Sequence, residues 1–584
     1  MSKKLQQPQQ LQQQLQQLQP IKTILSSKLT KQGYIINKSE LTDDQIQMIE
    51  NDLTIEPEID SRFKNLGKTG KSKSTKSSKS AKSAKSAKSA KSAKSATDDD
   101  KLPTDDEEEE DKEDDGIFNI YLESAAGDKF VLPRYYGLVK FGLPQTVKFN
   151  LADFDKTTIN FLGQLRDYQN EVMNTVLPEY CNDITDPANT LKPFGGSIIA
   201  IPPGKGKTVC AIYLACKLGL KTLIIVNKTF LMNQWKERIR QYTGEEAGII
   251  QQSKINIVGK KFVVAMLHSV SLKDYDRELF QAFPFIVYDE CHHLGARMFS
   301  KSLIKVQGNY FLGLSATPER KDHMDKVFKY FLGDIKFRGK FDTNNNVMVR
   351  MYSYNILHLN FKPIYNRFLK TYMGPSMVTK ICKIDERNNF IIKIITDILK
   401  VDNKRKFLVL TGRCNASGNE KSVNHIKILS DKLDQIPELK ESWGYYKGGM
   451  KQTQLDISAE KQIIIGTYEM AQEALDISDL DTLILASPFK GDLTQTVGRI
   501  LRAQNEYNPL IIDIVDNILP FSNQSRNRLG YYMKENYTCE HYIVEDGYDT
   551  SDDGIKKLPA AFLVPIMPKD KKFDDENNDN VWDD

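Results

Sequence analysis

Ile198-Ile199-Ala200-Ile201-Pro202-Pro203-Gly204-Lys205-Gly206-Lys207-Thr208 decides how this chain is read. An apolar run reaches two prolines, and a glycine-rich turn leads into Val209-Cys210-Ala211-Ile212-Tyr213-Leu214. That order predicts a buried strand, a tight loop and a helix. Gly204 and Gly206 let the backbone wrap a phosphate group with no Cβ in the way. The N–H groups at the helix start then face that anion. Lys207 brings positive charge to the terminal phosphates, and the Thr208 hydroxyl can ligate magnesium. Ile201 stands where the strict pattern has glycine, so the match is partial. Taken alone, the stretch leaves an ordinary glycine-rich turn open, and kinases, transporters and motors all use such a loop.

Strands and helices alternate around the loop. Predicted strands are Ser197–Ile201, Thr222–Asn227, Phe262–Met266, Phe285–Tyr288 and Tyr310–Leu314, with helices such as Thr229–Tyr242 between them. A second set follows: Phe407–Thr411, Trp443–Tyr446, Gln462–Thr467, Thr482–Ala486 and Leu510–Ile514, with a helix over Ser422–Leu433. Such alternation implies largely parallel sheets covered by helices on both faces. The fold class is α/β, with two parallel-sheet domains in series. The first spans 161–340, a connector 341–377, and the second 378–547.

The flanks differ in composition. Residues up to Pro20 are nearly all Gln and Leu, and Leu5, Leu11, Leu15 and Leu18 recur at roughly helical spacing. A partner helix and a disordered tract both fit. Lys64 to Lys94 repeats Lys-Ser-Ala and cannot bury a core. Its lysines suit loose phosphate contacts or a solvated linker. Asp98 to Asp115 is strongly acidic. Residues 1–115 are therefore expected to be disordered. Phe118–Leu122, Phe130–Leu132 and Val147–Phe149 alternate as short strands, predicting a small β-rich module over 116–160. Residues 548–584 form an acidic tail.

At 584 residues the chain has room for three or four domains of about 150 residues. Its net charge of +4 hides the near-cancellation of the lysine and acidic blocks, so the total says little about partners. Cys181, Cys210, Cys216, Cys291, Cys382, Cys414 and Cys539 form no CxxC pair, which argues for free thiols and against a zinc knuckle. No apolar run approaches the roughly 18 residues of a membrane span, and the polar N-terminus is not a signal peptide. An intracellular soluble protein with no membrane partner is expected.

Parallel sheets carry their functional loops at the carboxyl ends of strands. Asp289-Glu290-Cys291-His292-His293 follows the strand Phe285–Tyr288. One carboxylate there can hold magnesium through water and a second can polarise an attacking water. His292 sits where it can couple the phosphate site to the next strand, which ends in Ser315-Ala316-Thr317. Upstream, Arg166 and Gln169 precede the first strand, and the Gln169 amide suits an adenine edge. In the second domain, Gln495-Thr496-Val497-Gly498-Arg499-Ile500-Leu501-Arg502 places Arg499 and Arg502 on one helix face. Two arginines aimed across a cleft can stabilise charge on a transferring phosphoryl group. A basic face paired with acids is the plainer alternative. Gly466 and Thr467 close another strand.

This order of motifs resembles the superfamily-2 helicases. Gly204 to Thr208 matches their nucleotide loop, Asp289 to His292 their DExH box, Ser315 to Thr317 the coupling motif, and Gln495 to Arg502 the QxxGRxxR motif. The match runs from about Arg166 to Asp516. Leu231-Met232-Asn233-Gln234-Trp235 and Gly313 to Arg320 resemble the xeroderma pigmentosum type B branch. The similarity is closer still to the poxvirus transcript-release helicase and its giant DNA virus relatives, as is Asp385-Glu386-Arg387-Asn388. Ala474 departs from the glycine of the EGxD motif.

The resemblance implies two RecA-like domains with ATP between them. Arg166, Gln169 and Pro202 through Thr208 would bind ATP, with Thr208 and Asp289 on magnesium. Lys207, Asp289, Glu290, Gln495, Arg499 and Arg502 would be catalytic. Thr229, Gln234, His268, Ser269, Gly466 and Thr467 would contact RNA or DNA. RNA polymerase would be a partner, and the cytoplasm or the virion the location.

Overall fold

The computed structural model describes residues 26–56, 117–149, 156–320, 322–339, 346–354, 361–368, 370–412, 423–450, 452–473, 475, 477, 479–491, 493–501, 507–544 and 555–557. They fall into two compact units. One combines the N-terminal residues through Phe149 with 293–307 and 319–331, and the other holds the rest.

The first unit centres on a five-stranded sheet. Its strands are β1 (Lys28–Thr30), β2 (Gly33–Asn37), β3 (Leu122–Glu123), β4 (Lys129–Leu132) and β5 (Thr146–Val147), in the order β3-β4-β2-β1-β5. Order therefore does not begin near Ile117: residues 26–56 are folded, which corrects the expected boundary. The β2–β4 register, Tyr34 opposite Leu132 and Ile36 opposite Phe130, buries all four of these side chains. The helix Asp43–Leu53 starts with a capping box, Thr42 accepting from Gln45 N–H and Gln45 from Thr42 N–H. Its Asp52 accepts from the Tyr136 hydroxyl at 3.0 Å. Tyr136 in turn meets Tyr330 edge-on, centroids 5.1 Å apart, tying the later segment into this unit. The remainder of 1–115 lies outside the described residues, as does most of 548–584.

In the second unit the first sheet runs β9-β8-β10-β7-β11-β12-β6-β13. Its strands are β6 (Gly195–Ala200), β7 (Thr222–Val226), β8 (Gly248–Gln251), β9 (Lys254–Asn256), β10 (Phe262–Met266), β11 (Phe285–Tyr288), β12 (Tyr310–Ser315) and β13 (Ile335–Arg338). All pairings are parallel except the β8–β9 hairpin. β6, β7, β10, β11 and β12 are buried along their whole length, which is why they read as continuous apolar runs.

The second sheet runs β18-β19-β17-β20-β21-β14-β22-β23. Its members are β14 (Met348–Tyr354), β17 (Phe407–Thr411), β18 (Trp443–Tyr446), β19 (Ile463–Thr467), β20 (Thr482–Leu485), β21 (Leu510–Asp516), β22 (Thr538–Val544) and β23 (Ile555–Lys557). Between β14 and β17 the chain makes a short hairpin, β15 (Tyr365–Asn366) and β16 (Thr371–Tyr372). Among the described residues, only β23 pairs antiparallel in the large sheet. The expected connector 341–377 thus contains an interior strand: β14 lies between β21 and β22, in register with both. Its polar side chains are matched across the strands. Arg350 Nε lies 3.3 Å from Glu540 Oε2, and Ser353 Oγ 2.6 Å from His541 Nε2. Two tandem, largely parallel sheets result, as the strand pattern implies, and they fit the RecA-like pair that the resemblance implies.

Candidate active site

The carboxyl ends of β6, β11 and β12 meet, because β12 pairs with both neighbours in parallel. Each end carries one of the predicted motifs. After β6, Gly204 and Gly206 take φ of 77° and 82°, the left-handed region that favours glycine. A Cβ on Gly206 would also lie 2.3 Å from Gln169 Nε2. Gly206 caps the helix Lys207–Leu218, which buries Cys210, Ala211, Leu214 and Leu218. Lys205 N–H turns back to Pro202 O at 3.4 Å, closing the loop beside Pro203. The glycine loop leading into the helix start is the arrangement that cradles an anion.

Gln169 supports this cradle from behind. Its Nε2 donates to Lys205 O at 3.2 Å and its Oε1 accepts from Arg166 N–H at 2.9 Å. The amide expected to read an adenine edge is here engaged by the loop and by its own helix start.

After β11, Asp289 and Glu290 are both largely buried. Glu290 takes φ of 45°, an unusual conformation for a residue with a side chain, which turns its carboxylate towards Lys207. Lys207 Nζ donates to Glu290 Oε1 at 2.7 Å. His292 Nδ1 lies 3.3 Å from Glu290 Oε2 and 3.0 Å from Ser315 Oγ, and Ser315 Oγ accepts from Thr317 N–H at 3.2 Å. A continuous polar path therefore links the phosphate loop, the Asp-Glu pair and the Ser-Ala-Thr segment, with Ala316 part-buried between its two ends. Asp289 is held otherwise. Its Oδ2 accepts from the Trp235 indole N–H at 2.8 Å and its Oδ1 from Glu290 N–H at 3.1 Å.

Burial opposes ionisation of both acids. For Glu290 the Lys207 charge and the His292 contact win, holding its carboxyl well below the usual range. For Asp289, burial and then the Glu290 charge outweigh Lys207 and Trp235, pushing it upward. Two buried carboxylates thus share one ammonium. That deficit of positive charge, with the Thr208 hydroxyl at the loop's end, fits a divalent cation beside bound phosphates. Among the described residues no group of three or more His, Cys, Asp or Glu could hold a metal by itself. Magnesium, which keeps several waters and substrate oxygens, does not need such a cage.

Other predicted residues are dispersed. Thr229 opens the helix Thr229–Thr243, which also carries Gln234, and His268 is exposed on Leu267–Leu272. Ser269 is buried, its Oγ accepting from Gln252 N–H at 2.9 Å. Gly466 and Thr467 end β19, and Thr467 Oγ1 accepts from Met470 N–H at 3.3 Å. Lys228, just before Thr229, pairs with Glu469 just after Thr467, joining the strand-end loops of the two sheets.

Arg499 departs from expectation. Rather than projecting outward, its guanidinium is buried and donates to Ala471 O at 2.7 Å and Leu475 O at 2.9 Å. The two carbonyls lie in the segment that follows β19, and a planar fork satisfies both at once. Arg502 and the Gln495 side chain lie outside the described residues. Trp235 was missed as a partner of Asp289, although the quoted Leu231–Trp235 stretch contains it. Also missed were two fully or nearly buried ion pairs at the carboxyl end of the second sheet. Arg387 grips Asp516 at 2.7 Å and donates to Ala486 O, and Arg528 grips Asp513 at 2.7 Å. Arg387 lay in a quoted motif and Asp513 in a predicted strand, but neither pairing was read.

A glycine loop, a buried Asp-Glu pair and a Ser-Ala-Thr segment at adjacent parallel strand ends, with a second parallel sheet in series, fit a nucleotide-hydrolysing α/β protein. Comparison narrows the class. Residues 162–320 match the family described as "Type III restriction enzyme, res subunit". The chain is 32% identical over 563 residues to "Putative ATP-dependent RNA helicase L396" of Acanthamoeba polyphaga mimivirus, covering 94% of both proteins. It is 29% identical to "Putative helicase 161L" of Invertebrate iridescent virus 6, over 68% of this chain and 87% of that one. Among solved structures, S. cerevisiae Dbp5 bound to RNA and ADP BeF3 aligns with a TM-score of 0.41 and 13% identity, over 65% of this chain and 95% of that one. The chain belongs to the superfamily-2 helicases of giant DNA viruses, which are ATP-hydrolysing enzymes.

Proposed function

We propose that this chain hydrolyses ATP to move along RNA during transcript release or termination in a large DNA virus, with RNA polymerase as a partner. The observation that carries the reading is the path Lys207–Glu290–His292–Ser315. It joins the group that would meet the terminal phosphate to the strand end that would report its state. The near full-length likeness to a protein named as an RNA helicase favours RNA over DNA. Such work would take place in the cytoplasm, with the protein carried in the virion.

In this reading Lys207 leaves Glu290 for the terminal phosphate when ATP enters. Glu290, released from Lys207, then orients the attacking water. Magnesium held by Thr208 and Asp289 would neutralise phosphate charge. His292 follows Glu290 and carries its change of partner to Ser315 and Thr317. Arg499 acts as a positioning residue, fixing the segment Ala471–Leu475 that continues from Thr467. Contacts from Thr229, Gln234, His268, Gly466 and Thr467 would fall mainly on phosphates and tolerate any sequence. No helix among the described residues is long and apolar enough to cross a membrane.

The test compares ATP turnover with single-stranded RNA, single-stranded DNA and duplex DNA, beside a strand-displacement assay. Strong stimulation by RNA together with strand displacement is expected. Stimulation without displacement would identify an ATP-gated clamp instead, and stimulation by duplex DNA alone would refute the RNA assignment.

A further inference from the structure

The hairpin β15–β16 has no part in the nucleotide site, yet it is built with care. Its stem is rooted in the second domain. Met373 N–H donates to Ile364 O at 2.8 Å, and Ile364 and Tyr372 pack against that domain's buried apolar cluster. Tyr365 and Tyr372 face each other across the strands, edge to face at 5.2 Å. At the turn, Asn366 Oδ1 accepts from Phe368 N–H at 2.9 Å, and Lys370 takes φ of 46°. Phe368, in this turn, is 99% exposed.

A single exposed apolar residue is ordinary on a protein surface. The surroundings of this one are not. From Phe361 to Met373 the chain carries Lys362, Arg367 and Lys370 and no acid. All three basic residues are exposed, and Arg367 and Lys370 stand on either side of Phe368 in the sequence. An aromatic face offered at a hairpin tip between cations matches the alternation of base and phosphate in single-stranded nucleic acid. Stacking there is indifferent to base identity, since every base has a π-face.

We propose that the β15–β16 hairpin is a contact for single-stranded nucleic acid, Phe368 stacking on a base while Arg367 and Lys370 meet the adjoining phosphates. The proposal rests on the helicase reading above and adds a contact outside the strand-end loops.

Fluorescence anisotropy on the full chain with a labelled single strand of about twelve nucleotides, without nucleotide, tests it. Phe368→Ala should weaken binding by roughly 5- to 150-fold, the range for one lost base stack. Phe368→Trp should restore it. Arg367→Ala with Lys370→Ala should flatten the dependence of log affinity on log salt by about 1.4, from two phosphate contacts. All these side chains are exposed, so circular dichroism should not change. Wild-type binding that Phe368→Ala leaves within about twofold would overturn the hairpin contact alone. That result holds even where the same variant loses a protein partner such as a polymerase. Absence of binding by the wild type, with no stimulated ATP turnover, would overturn the helicase reading and this proposal together.

Discussion

Trp235→Phe separates packing from chemistry at the Asp-Glu pair. Trp235 is 1% exposed, and its indole N–H is one of two donors to Asp289. Phenylalanine keeps most of the apolar contact and deletes that donor. A hydrogen bond to a charged group contributes about 1.5–3 kcal/mol. Asp289 is already pushed towards its neutral form by burial and Glu290. Losing the indole should lower the share of ionised, correctly turned Asp289, and with it kcat, by roughly 10- to 150-fold. The phosphate cradle is untouched, so ADP affinity should stay within about threefold. The magnesium concentration giving half-maximal turnover should rise. Steady-state kinetics over a magnesium series, ADP titration and a melting curve together make the test. A lower Tm with unchanged kcat and unchanged magnesium dependence would refute the reasoning and leave Trp235 as core packing only.

Lys207→Ala should abolish turnover, and a folded variant with near-normal hydrolysis would dismiss the phosphate-loop assignment. Arg499→Ala should lower both Tm and activity, since two buried carbonyls lose their donor, while Arg499→Lys should recover stability better than activity; equal recovery of both would show the arginine to be structural only. His425 is buried between Thr411 Oγ1 and Asn388 Oδ1, at 2.7 and 2.9 Å, and burial lowers its pKa to about 3. The unfolded chain therefore binds more protons below its ordinary pKa of about 6.5, so stability is lost as pH falls through that value. The loss should reach about 2 kcal/mol by pH 5. Urea midpoints from pH 7 to 5 should show that slope in the wild type and a shallower one in His425→Gln.

The parallel strands were legible because burial on both faces leaves no polar alternation to confuse them. Phe262–Met266, Phe285–Tyr288 and Phe407–Thr411 match their predicted bounds to the residue. What escaped were strands whose outward side chains are polar or charged. Ile335–Arg338 alternates and Met348–Tyr354 does so only in part, Met351 and Tyr352 both being buried, so neither is a continuous apolar run. Arg350 makes sense in a sheet only once Glu540 is beside it. The folded segment 26–56 was hidden for a related reason: its sheet partners arrive after a long block of lysine, serine and acid. In the site, glycine spacing and the Asp-Glu pair announced the phosphate chemistry, because backbone clearance and buried charge restrict residue type. The direction of Arg499 could not be read, since spacing along a helix gives its face and not its partner. Nor could the bond from Trp235 to Asp289, set by the β7–β11 pairing.

One pairing in the N-terminal unit changes what the lysine-rich and acidic blocks are. Thr54 lies opposite Asn119 and Ile55 opposite Phe118, strand against strand. Glu56 and Ile117, the described residues on either side of the charged blocks, therefore lie close together. The charged blocks are thus joined to the fold at both of their ends. Closing such a loop costs only about 0.6 kcal/mol more for each doubling of its length. The insert can lengthen or shorten by whole Lys-Ser-Ala repeats with almost no effect on the fold that anchors it. Its count of charges is thus free to vary while their point of attachment stays fixed.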